Sequence, residues 1–268
     1  MGTLFFELAL TLYFSGFLLG LAELLRKKSE FEKVVYILSL IGFLLHTVYL
    51  CYRYIKSGQA PVFSMHEATA YFSWCILGVA LVIDSFYKIK ILKFSIILDF
   101  LITFISAFFS RGVPHIKPEF KNILIGFHAL LAVLGVAIFS VAFILSILYI
   151  FQEKSIKSKK FKVFDRVVPS LEILDKASYL LIFWGFIIYS IGVTIGVIEY
   201  LNLIGLSFDP KEIGSLFIWF VYLSIFYLRV KGDWRKKKAA YLTIFGFFLV
   251  IFSFFGINLF FESFHRRL

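Results

Sequence analysis

Only two cysteines, Cys51 and Cys75, occur in 268 residues, and no Cys-x-x-Cys or Cys-x-x-Cys-His run is present. That excludes a disulfide framework, a paired-thiol metal site and a haem carried covalently on the chain's own cysteines. Each cysteine lies in or beside an apolar run, where it reads as a small buried hydrophobe. There is no His-Glu-x-x-His and no Gly-rich phosphate loop, so neither a zinc hydrolase nor a P-loop nucleotide-binding protein is indicated. Charged residues are scarce at 17%, and none of the basic ones precedes Arg26. The first apolar run therefore lacks the basic leader of a cleavable signal peptide and is expected to be a retained span.

What fills the chain is hydrocarbon. Hydrophobic residues make up 60% of it, aromatics 20% with 36 phenylalanines, and the mean hydropathy is +0.90, well outside the range of a soluble domain. The apolar runs are unbroken rather than alternating, which points to membrane-spanning helices and away from a barrel. They fall at 4–25, 34–52, 68–87, 94–109, 123–151, 179–200, 214–230 and 240–262. The expected fold is all-α: a polytopic integral membrane protein of eight transmembrane helices in a single domain, 1–268.

Charge sets the orientation. Of 28 Lys and Arg residues, 20 sit in the turns 26–33, 88–93, 152–178 and 229–239, and 8 in the opposite set of turns and the tail. The richer side is expected to be cytoplasmic, so both termini face outward. The net charge of +11 then reads as topogenic charge and contact with membrane lipid rather than with nucleic acid. The Lys-rich segment 154–166 is a cytoplasmic loop on this reading.

All five histidines land on the outer side. His66 and His115 fall in outer loops, His46 in the outer half of the second run, His128 about a turn inside the fifth, and His265 beyond the eighth. Asp99, within the fourth run, is a functional candidate by default because an ionisable group in lipid is expensive; the structural alternative is a hydrogen bond to a neighbouring helix. In the segment Phe208-Asp209-Pro210-Lys211-Glu212, Asp209 is placed to cap the seventh helix, with Pro210 at its first position and Glu212 closing a capping box.

The stretch from Leu206 through Asp209-Pro-Lys-Glu212 to Trp219 and Tyr222 resembles the signature of the CcsA (ResC) family of cytochrome c assembly proteins. Collinear stretches agree: His46 to Arg53, Ser57-Gly-Gln-Ala-Pro61 with Glu67, Phe127-His128, Pro169 to Tyr179, and Phe255-Gly-Ile-Asn258 through His265. The resemblance is strongest over 40–268. It implies a bacterial cytoplasmic (inner) membrane protein with its site on the outer face. Haem b is the implied cargo, ligated axially by His128 and His265, beneath an outer loop bearing Phe208 and Asp209 and beside Trp219. The implied partners are a CcsB/ResB-like subunit of a haem lyase complex and apocytochrome c.

The signature is degenerate, however. The tryptophans usual before Asp-Pro-Lys-Glu are replaced by Asn202, Leu206 and Phe208, and Gly214 stands where another is usual. Tyr227 occupies the place of a second intramembrane histidine, which makes Tyr227 and His46 the further candidates for haem contact. Those losses match the HemX-like members of the same superfamily, regulators or accessories of haem biosynthesis without attachment activity.

Overall fold

The computed structural model describes residues 2–26, 30–112, 122–158, 168–204, 210–231 and 236–253. Within them the regular structure is all helix: α1 Gly2–Arg26, α2 Glu32–Ser57, α3 Met65–Phe86, α4 Leu92–Ser106, α5 Ile123–Lys157, α6 Leu171–Ile204, α7 Pro210–Val230 and α8 Lys237–Ile251. Six of the eight are long and apolar enough to cross a membrane; α4 and the described part of α8, 15 residues each, are shorter. At 1.5 Å per residue, 15 residues reach about 22 Å, less than the roughly 30 Å of hydrocarbon. By contrast the 35 residues of α5 reach about 52 Å, so this helix outruns the hydrocarbon.

The helices pack as two groups. α1 lies against α2 and α4, and α3 against α4; α5 lies against α6 and α8, and α7 against α6 and α8, with α3 on α5 joining the two groups. The buried seam of α1 runs Phe6, Ala9, Tyr13, Gly16, Gly20 and Glu23, and that of α2 runs Val35, Ser39, Gly42, His46, Tyr49 and Arg53. Both advance in alternating steps of three and four, the 3.5-residue period that keeps two helices in contact along their length. Lipid offers apolar side chains no reason to leave it, so packing rather than hydrophobicity must hold such helices together. The α5–α6 contact does this with glycine: a Cβ at Gly135 would collide with Tyr189, one at Gly185 with the Phe139 ring, and one at Gly192 with the backbone at Ala132.

Helix ends follow polar chemistry. Ser64 caps α3 in a capping box with Glu67, each accepting from the other's backbone N–H. Ser170, just after Pro169, accepts from Ile173 N–H at 3.4 Å and starts α6. Near the far end of the bundle Arg229 ties α7 to α6, donating to the Asp175 carboxylate at 2.7 Å and its carbonyl at 2.9 Å. A cavity of about 1440 Å³ opens between α2–α3 and α5–α6, walled by Phe43, Trp74, Ile138 and Trp184 and reaching Lys88 and Lys93.

Candidate functional site

His128 projects from α5 into α6. Its Nδ1 lies 2.8 Å from the Gly192 carbonyl. A carbonyl only accepts, so Nδ1 carries the proton and the neutral ring holds its lone pair on Nε2, the arrangement in which an imidazole binds a metal. Glycine makes the approach possible, because a Cβ at Gly196 would occupy the space of the His128 ring. Close by, Asn122 caps α5 by accepting from Leu124 N–H and donates its amide to Glu199 of α6 at 2.7 Å. That bond ties the start of α5 to the last turns of α6.

Trp219 docks on the same helix from α7. Its Nε1–H donates to Ser190 Oγ at 2.8 Å, and its ring packs edge-on to Phe220 and tilted on Phe186. One turn earlier on α7, Ser215 offers its carbonyl to Tyr189 Oη at 3.1 Å. α6 thus carries His128 through Gly192 and Trp219 through Ser190, two residues apart and so on different faces. Pro210 is the first residue of α7, and Glu212 stands in its first turn. Phe208, Asp209, His115 and His265 lie outside the described residues.

The other named residues sit elsewhere. Tyr227 is half exposed, one turn from the end of α7, with Lys231 Nζ 4.8 Å from its ring centre. His46 is wholly buried in the first helix group among Phe6, Tyr13 and Tyr49. Neither lines the large cavity, nor do His128 and Trp219.

His66, expected in an outer loop, is instead in the first turn of α3 and fully buried. Its Nδ1–H donates to the Ser106 carbonyl at 2.8 Å, so Nε2 accepts the Tyr49 hydroxyl at 2.6 Å. Both nitrogens are used, and no lone pair is left for a metal. Next to it Arg53 holds Glu67 through two nitrogens and donates to the carbonyls of Arg111 and Gly112 at 2.7 and 2.9 Å. This clamp joins α2, α3 and the segment that follows α4. Reasoning from the sequence put Arg53 and Glu67 among the landmarks but missed their pairing; the only signal was opposite charges at facing ends of two consecutive apolar runs.

Comparison with known proteins adds the following. A family model described as Cytochrome C assembly protein matches residues 62–265. Among similar curated proteins are Protein HemX of Brevibacillus brevis, 23% identical with 94% of each chain covered, and Protein HemX of Bacillus subtilis, 26% identical with 93% and 92% covered. Cytochrome c biogenesis protein CcsA of Guillardia theta is 26% identical, with 82% of this chain and 80% of that protein covered.

Proposed function

The chain belongs to the cytochrome c assembly protein family, and on that footing we propose that it is a haem-handling membrane protein of c-type cytochrome biogenesis. It presents haem b, as cargo, at the outer face of a bacterial cytoplasmic membrane. Its eight apolar runs all cross the membrane, the short α4 together with the residues that flank it, and both termini face outward. His128 and His265 would hold the haem iron, with Phe208 and Asp209 at the rim, while Trp219 docks on another face of α6. A ResB-like subunit and apocytochrome c complete the assembly.

One observation carries this reading: the Gly192 carbonyl fixes His128 in the tautomer whose Nε2 lone pair is free. His66 lacks that freedom. The test is the absorption spectrum of detergent-purified protein expressed in haem-replete cells. A low-spin Soret spectrum is expected, turning high-spin or vanishing in His128→Ala and His265→Ala, partly rescued by imidazole, and unchanged in His66→Phe. Absence of pigment in the wild type, or a low-spin spectrum kept by both ligand variants, overturns it. In the second case His46 and then Tyr227 are the ligands to examine.

A second reading has its own observation. The chain and its HemX relatives cover 92–94% of one another, whereas the Guillardia CcsA extends beyond the match. A HemX-like accessory of haem biosynthesis needs no attachment activity, and loss of this gene would then alter haem synthesis while leaving cytochromes c assembled.

A further inference from the structure

Asp99 has no use in the haem reading, yet it is wholly buried on α4, and neither carboxylate oxygen has a hydrogen-bond partner among the described residues. A merely structural aspartate would be bonded to a neighbouring helix. The same lack of a partner holds for Ser95 Oγ one turn earlier on α4, and for His46 Nε2 and Ser39 Oγ on the buried seam of α2. Tyr13 sits on α1, which packs against both of these helices. Its ring lies over Gly42 of α2, and its hydroxyl is 3.4 Å from His46 Nδ1. Outward from His46 come Tyr49, ring centres 6.2 Å apart, and then His66, hydrogen bonded to it.

Each end of this column is closed by a buried ion pair. Glu23 and Lys93 approach to 3.9 Å at one end, and Arg53 clamps Glu67 at the other. On α4 the polar face runs from Lys93 through Ser95, Asp99 and Thr103 to Ser106. The thirteen steps from Lys93 to Ser106 rise about 20 Å, some two-thirds of the roughly 30 Å hydrocarbon. Orphaned polar atoms in lipid are costly and are met by water where side chains do not suffice. Carboxyl, phenol and imidazole are, moreover, the groups that both take up and release protons, and their presence inside a membrane marks proton paths.

We propose that the α1–α4 group is a proton pathway, in which Asp99, Tyr13 and His46, with waters held by Ser39 and Ser95, pass protons between the two ion-paired ends. Each step moves one proton from a donor to the adjacent acceptor, so one proton enters at one face for each that leaves at the other, with no oxidation or reduction. The ion pairs keep the path shut until they part, which makes the flux slow rather than channel-like.

The experiment uses the full chain, purified without haem and reconstituted in phosphatidylcholine vesicles containing a pH-sensitive dye, with protons driven inward by a valinomycin potassium potential. Wild-type vesicles are expected to acidify faster than protein-free ones. Asp99→Asn should fall to the protein-free rate, Asp99→Glu should recover flux, and Tyr13→Phe, which keeps the ring, should lose it. Wild-type flux equal to that of protein-free vesicles overturns the proposal, as does undiminished flux in Asp99→Asn or in Tyr13→Phe. Should Asp99→Asn fail to fold, Tyr13→Phe decides alone. Because the protein is haem-free, a missing Soret band leaves this result untouched, and absent flux leaves the haem reading untouched.

Discussion

Arg53 and Glu67 bury opposite charges against each other, and removing one strands the other in a dry setting. Arg53→Ala is therefore expected to destabilise by about 3–5 kcal/mol, while the joint change Arg53→Met with Glu67→Leu should cost much less, as thermal unfolding in detergent would show. Steric contact governs the next position. Gly196→Ala puts a methyl where the His128 ring sits, at a cost of about 1–3 kcal/mol, and should shift any haem spectrum as the ring is displaced. The residues themselves were visible beforehand; their roles were not. His128 could be singled out as a candidate, but its tautomer depends on a carbonyl 64 positions away. His66 and His128 are alike as letters, and only the Tyr49 and Ser106 contacts separate a spent imidazole from an open one.

Hydropathy located each helix among the described residues, but it detects immersion in lipid and not helicity. The second run was expected to end at 52 and α2 continues to Ser57; the sixth was expected at 179 and α6 starts at Leu171. The extra turns of α6 mix apolar and charged residues and are held by the Ser170 cap and a Glu172–Lys176 pair at 2.7 Å, neither of which raises hydropathy. α3 likewise begins three residues before the expected 68, because the Ser64–Glu67 capping box starts it. Ser64→Ala should cost on the order of 1 kcal/mol by losing that cap, seen as a lower unfolding midpoint with the spectrum of any bound chromophore unchanged. The expected Asp209 cap of α7 falls outside the described residues. For it the matching outcome is a similar loss in Asp209→Ala.

At the scale of the molecule, the basic residues of the turns assign sides, and labelling tests them. In a Cys51→Ser background, Cys introduced at Ser110 should react with an impermeant maleimide on intact cells, while Cys at Ser158 should react only after lysis; reversed labelling would invert the topology and put His128 near the cytoplasmic face of the membrane. Both positions are exposed, so access is not limited by burial. What no hydropathy profile could convey is the division into two helix groups, since it depends on which faces meet. The glycine contacts between α5 and α6 carry a consequence for variation. Gly135, Gly185 and Gly192 each face a neighbour that a single methyl would strike, whereas Leu201, Phe217 and Phe220 stand exposed. In a saturation mutagenesis library the first set should be nearly invariant among survivors and the second freely exchanged among apolar residues. The smallest side chains would then be the ones this protein can least do without.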